Sequence, residues 1–284
     1  MRIGKFSPTL AIPMTLHWHT EPLLLAGLLI PAWLYALWVW PLRPAGVSVP
    51  GWRIGCFFGA LILSYLAVGS PLDQIGEDYL FSAHMLQHLI LMYVTPILFV
   101  IGLPPDLVDR FLSRHPLWVR VFRKILHPVS TGVVFSLCFS LWHVPSLYEA
   151  ALAHKSIHIL EHLTIWIPGL GIAWNLFSPS RILPTISYPG RLLMLFILMV
   201  AQLPVFGILT MSGNVLYPTY EWAPRIIDLS PIDDQVLGGL LMKVGGMLFV
   251  LPIFGYCFYQ WSKTTQSDEM ELEADLPPHQ PEKS

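Results

Sequence analysis

Seven runs of roughly 20 residues, each almost free of charge, dominate this sequence. Runs of that length match the ~30 Å hydrocarbon core of a bilayer. They extend from Pro22 to Trp40, Ile54 to about Leu72, near Ser82 to Pro105, about Pro128 to Leu147, about Ser156 to Phe177, Leu192 to Met211 and Gln235 to Trp261. Charged residues make up only 12% of the chain, about half the share of a soluble domain. The expected fold is all-α, a polytopic membrane bundle of seven transmembrane helices over residues 1–262. Such a composition excludes an ordinary cytosolic globule and a disordered chain. It also excludes a nucleic-acid partner, whose basic footprint is missing. Cys56, Cys138 and Cys257 all lie inside apolar runs, so no disulfide framework is implied. Arg2 and Lys5 precede an apolar run too long for a signal peptide, so a cleavable leader is not expected.

The basic residues set the orientation. The stretch DLVDRFLSRHPLWVRVFRK after the third run carries five of them between Arg110 and Lys124. With Arg43, Arg53, Arg181, Arg191 and Lys263, that side holds ten Lys+Arg against four on the other. The opposite loops are acidic: SPLDQIGEDYLF before the third run, EWAPRIIDLSPIDD before the seventh. The N-terminus is therefore expected outside and the C-terminus in the cytoplasm. Residues 263–284, with six acids and two lysines, read as a disordered acidic cytoplasmic tail.

Against this apolar background the histidines stand out. His84 and His88 are four apart at the start of the third run, and His154, His158 and His162 form a stripe over two turns at the start of the fifth. Side chains at i and i+4 on a helix lie about 6 Å apart, so two imidazoles can reach one ion. His143 ends the fourth run at the same outer level. Ionisable groups inside a membrane are rare and usually functional. Imidazole suits copper, zinc, iron and nickel, so the candidate metal ligands are His84, His88, His143, His154, His158 and His162. Met85, Met92 and Met211 could add thioether, although methionine in an apolar run is commonly packing. Glu161 lies i+3 from His158 and could orient a ring as a hydrogen-bond acceptor. Lys243, deep in the seventh run, is expected to pair with a carbonyl or an acid. Pro31, Pro96, Pro168, Pro204 and Pro252 lie inside runs and are expected to kink them. The same histidines could alternatively hold haem, with His88 and His162 as axial ligands. No nucleophile–base–orienter set occurs at a plausible spacing, so no enzyme activity is expected.

At these residues the sequence resembles the CtaG-type cytochrome c oxidase assembly factors, a family of bacterial seven-span proteins. The likeness runs from WHTEP near the first run to the last. Its most specific stretch is residues 69–104, GSPLDQIGEDYLFSAHMLQHLILMYVTPILFVIGLP. LWHVPSLYEAALAHKSIHILEH at 141–162 and DDQVLGGLLM at 233–242 match two further signatures. His84, His88, His143, His158 and His162 stand where the family pattern has histidine. His154 matches no family position, and Lys243 replaces a bulky apolar residue. The resemblance implies a multi-pass protein of the bacterial plasma (inner) membrane. It implies a non-enzymatic chaperone that helps assemble a haem-copper oxidase, its partners being an oxidase subunit and the lipid bilayer. Copper handling on the outer, periplasmic face is the chemistry to be expected, and a homo-oligomer is compatible with it.

Overall fold

Prolines mark where the helices begin. Pro22, Pro71, Pro105, Pro116, Pro128, Pro145, Pro218 and Pro231 each sit in a first helical turn, where a missing N–H has no intrahelical partner to lose. The structure, a computed structural model, describes residues 16–274. Its helices are α1 (Pro22–Val39), α2 (Gly51–Val68), α3 (Pro71–Asp78), α4 (Phe81–Gly102), α5 (Pro105–Arg114), α6 (Pro116–Ile125), α7 (Pro128–Trp142), α8 (Pro145–Ala153), α9 (Lys155–Phe177), α10 (Tyr188–Met211), α11 (Pro218–Trp222) and α12. The last begins as Pro231–Leu240 and passes through a π turn, Leu241–Gly245, into Gly246–Ala274. No strand occurs among the described residues.

Five helices are long and apolar enough to cross a membrane: α1, α2, α4, α10 and α12. Counting α6 and α7, bent by 55° at their junction, as one broken span makes six. The expectation of seven thus meets five or six by length and hydropathy, and two physical reasons account for the difference. The run from Pro128 to Leu147 is interrupted at His143, and Pro145 starts a separate helix. The run from Ser156 is a 23-residue helix, α9, about 35 Å long at 1.5 Å per residue. His158, Glu161 and His162 hold its hydropathy down. At the C-terminus, α12 stays helical to Ala274, inside the segment read from composition as a disordered tail. Residues 275–284 of that tail, and Arg2 and Lys5 at the other end, lie outside the described residues.

Apolar side chains cover the outside. Leu29, Trp33, Ile62, Leu193, Phe196 and Leu248 are all exposed, the surface expected where lipid replaces water. The protein is a multi-pass membrane protein. Inside, one core cluster joins Phe81, Met85, Tyr148, Leu209, Tyr217 and Tyr220 around the start of α4, and another joins Tyr35, Val39, Phe57, Leu61 and Leu107 around its end.

Helix α4 is held at both ends by charges that suit its dipole. At its N-terminus the Phe81 and Ser82 amides donate to the buried Asp234 carboxylate at 2.8 and 3.1 Å. At its C-terminus Arg53 donates to the Ile101 and Leu103 carbonyls at 2.7 and 3.0 Å. These two clamps fix the axial position of the helix that carries His84 and His88.

Candidate metal centre

Two helices build the site, and one glycine lets them meet. A Cβ at Gly169 of α9 would lie 2.8 Å from the Met92 carbonyl oxygen of α4, so no larger residue fits without moving a backbone. Trp166 Nε1 donates to Thr95 Oγ1 at 3.0 Å and ties the same pair of helices together. Just beyond His88, α4 widens into a π turn over Ile90–Val94, a feature often found beside functional sites. Close approach of α4 and α9 sets His84 and His88 opposite Glu161 and His162.

The donor atoms converge. His84 Nε2 and His88 Nε2 are 2.9 Å apart, and Glu161 Oε1 lies 3.7 Å from the first and 3.4 Å from the second. All three side chains are fully buried. For a triangle with those edges, the point equidistant from the three atoms is about 2 Å from each, the length of a metal–imidazole bond. The donor atom of His162 lies within 4.8 Å of the other three. Both Glu161 oxygens, Nδ1 of His84 and His88, and Nε2 of His162 have no hydrogen-bond partner. Leaving a buried polar atom unpaired costs about 1–3 kcal/mol, and the Glu161 carboxylate at this point has no hydrogen-bond partner for either oxygen. The residues fit a cation bound by three nitrogens and an oxygen.

A second set lies alongside. Donor atoms of Asp73, His158 and His162 are also within 4.8 Å of one another. His158 pairs through Nδ1 with Glu77 of α3. Asp73 Oδ1 accepts the Gln87 amide at 2.6 Å, and His19 Nε2 is 3.5 Å from Asp73 Oδ2. Burial, then the charge of Glu77, pushes the Asp73 carboxyl above its usual range. Burial would raise the Glu77 carboxyl as well, but its hydrogen bond and ion pair with His158 hold it below that range.

Of the expected ligands, His84, His88 and His162 come together around one point, while His158 stands in the adjoining set. His143, which caps the C-terminus of α7, is buried with its ring 6.1 Å from that of His88. Its Nδ1 donates to the Phe139 carbonyl at 2.6 Å and its Nε2 faces Met242 Sδ at 3.3 Å, away from the set. His154 is not brought in. It precedes the first turn of α9 in an extended conformation (φ −134°, ψ 109°) and is exposed. Glu161 faces His84 and His88 rather than orienting His158. Met85 and Met92 belong to the apolar core, and Met211 is exposed. Lys243 Nζ donates to the Met199 carbonyl at 3.1 Å, the carbonyl partner expected for it. The three cysteines are free.

Asp73, Glu77 and Met242 also touch these histidines, and His19 touches Asp73; none of them is part of the i, i+4 histidine spacing in the sequence. The acids of SPLDQIGED were visible only as loop charge. Their spacing fits an amphipathic helix, with Ser70 accepting from the Leu72 amide at 3.2 Å as its cap.

The chain matches the family described as cytochrome c oxidase caa3 assembly factor (Caa3_CtaG) over residues 33–264. It belongs to that family. The matched span holds the whole of α2 to α11 and every ligand of the inner set. Two relatives, uncharacterised proteins of Mycobacterium bovis and Mycobacterium tuberculosis, are each 28% identical over 277 residues, covering 90% of this chain. The chain spans only 41% of the length of those relatives. No solved structure matches this member of the family.

Proposed function

We propose that this assembly factor binds one copper ion through His84, His88, His162 and Glu161 and delivers it to a subunit of a haem-copper oxidase. The observation that carries the reading is the convergence of His84 Nε2, His88 Nε2 and Glu161 Oε1 on one point, with edges of 2.9, 3.4 and 3.7 Å. Among divalent first-row metals, copper binds such nitrogen and oxygen donors most tightly. The family's role in oxidase assembly supplies the destination. Haem suits the geometry less well. The His88 and His162 rings are 5.7 Å apart, and His84 lies 4.4 Å from the one and 5.7 Å from the other, where a macrocycle would need open space.

In this reading α9 and the α6–α7 pair complete seven spans of the bacterial plasma membrane. The N-terminus is outside, and the site lies in the outer half. The basic stretch from Arg110 to Lys124 then faces the cytoplasm. Single cysteines placed at Ser113 and at Ser156, in a background lacking the native three, test this. An impermeant thiol reagent applied to intact cells should label the second position and not the first.

The decisive experiment is elemental analysis with an absorption spectrum on detergent-purified, copper-supplemented protein, beside the His88→Ala, His162→Ala double variant. Near-stoichiometric copper in the wild type, lost in the variant, is the expected result. Iron with a Soret band would replace copper by haem, and neither metal would overturn the site.

A further inference from the structure

Three members of the inner set, His84, His88 and Glu161, are fully buried, and His162, half-buried as a residue, has its Nε2 buried. An ion reaching this set bare would first have to give up its water, which buried charge makes prohibitive. Alongside these residues lies the set of Asp73, His158 and His162, which touches the partly exposed side chains of His19 and Glu77 and is prepared to hold an ion. His158 is 4% exposed and has its Nδ1 committed to Glu77, so its Nε2 is left without a partner. A carboxylate behind the far ring nitrogen is the usual way a metal-binding imidazole is oriented. Asp73, 7% exposed, gives Oδ1 to Gln87 and turns Oδ2 toward His19. The His19 side chain is 12% exposed, and its Nδ1 is fixed by Glu21 at 3.0 Å. Lys155 pairs with the same carboxylate and holds it down at about 2. His19 Nε2, 3.5 Å from Asp73 Oδ2, has no hydrogen-bond partner.

We propose that Asp73, His158 and His162 form an outer loading position for the metal ion, with His19 facing Asp73 Oδ2 at its rim, and that His162 joins it to the inner set, since it belongs to both. The inference rests on the copper-binding reading of the inner set and adds its route. The ion binds first at the mouth, where Asp73, Glu77 and Glu21 concentrate cations. It then exchanges Asp73 and His158 for His84, His88 and Glu161 one ligand at a time while His162 stays attached. No bond other than metal–ligand bonds changes, and His158 keeps its proton on Nδ1 throughout. Because His162 is shared, the two positions are filled in turn.

Stopped-flow loading of the full chain with cupric ion, together with equilibrium stoichiometry, separates the two positions. The Asp73→Asn variant, which keeps the shape and the Gln87 contact, should reach the wild-type copper content but load at least about tenfold more slowly. His19→Gln, at the rim, should slow loading by about threefold and covers the case in which Asp73→Asn does not fold. The His88→Ala, Glu161→Gln variant should retain an ion on the outer donors, and adding Asp73→Asn to it should remove that ion. Wild-type loading rates in both Asp73→Asn and His19→Gln, or no copper in the His88→Ala, Glu161→Gln variant, would overturn the relay and leave the inner site standing. No copper in the wild type would overturn both.

Discussion

At the end of the bundle where α9 finishes, Asn175 donates from Nδ2 to the Leu126 carbonyl at 3.0 Å, the Gly171 carbonyl at 2.9 Å and Thr131 Oγ1 at 3.2 Å. Nearby, Asp109 accepts from Ser180 Oγ at 2.5 Å and from the Arg181 amide at 3.1 Å. About 20 Å back along the same helix, Glu161 has no hydrogen bond to either oxygen, and four histidine nitrogens beside it are equally unpaired. Asn175 and Glu161 are both buried. At the first, donors meet acceptors. At the second, the Nε2 atoms of His84 and His88 and a Glu161 oxygen without a hydrogen bond face a common point. Satisfied networks rigidify a fold, whereas a buried carboxylate without a hydrogen-bond donor is stabilised by a cation held against it.

That contrast makes its strongest prediction as a crossover. His88→Ala should lower copper affinity by at least about 100-fold, since a direct ligand matters more than the 10–100-fold effect of its supporting partners. Asn175→Ala should leave copper binding unchanged and destabilise the apo-protein by about 1–3 kcal/mol, because carbonyls that were paired become orphans. Copper at a hundred times its Kd should stabilise the wild type by about 2.7 kcal/mol, and a chelator should reverse the gain. Thermal unfolding in detergent, with and without copper, reads all three. If Asn175→Ala abolished copper binding while His88→Ala spared it, the assignment of the two ends would be inverted.

A smaller effect is expected where the helices touch. Gly169→Ala places a Cβ 2.8 Å from the Met92 oxygen, so α9 must move away from α4. Loosening a ligand set by a fraction of an ångström should weaken copper binding by about tenfold, without removing any ligand. Titration of the variant against the wild type checks this, and unchanged affinity would show that His162 reaches the site without close helix contact. Asp234→Asn should do less. It keeps an oxygen for the Phe81 or Ser82 amide but loses the charge at the α4 N-terminus, a loss of about 1 kcal/mol in stability. Copper stoichiometry should be preserved.

Spacing in the sequence revealed the paired histidines on α4 and α9, because the i, i+4 relation is local and both helices are regular there. It could not reveal Asp73 and Glu77 as neighbours of His158. That contact depends on α3 folding back over the bundle, with Gln87 reaching Asp73 and also donating to the Ala67 carbonyl at 2.7 Å. Likewise, Met242 meets His143 across 99 residues of sequence. The seven runs of the sequence meet five or six helices that pass as spans for a related reason: the polar ligands of α9 that make it interesting also lower its hydropathy.

His154 supplies the smallest prediction and the sharpest check on how spacing should be read. By sequence it is as far from His158 as His158 is from His162, and the three form one stripe. The stripe is a property of a helix, however, and α9 begins at Lys155. With φ −134° and ψ 109°, His154 turns out of the helical path and stays exposed. His154→Ala should therefore leave copper content and loading rate unchanged and shift stability by no more than about 0.5 kcal/mol, where His162→Ala abolishes binding. A loss of copper in His154→Ala comparable to that in His162→Ala would mean that α9 extends a further turn when the ion binds, and that the stripe is complete only in the loaded state.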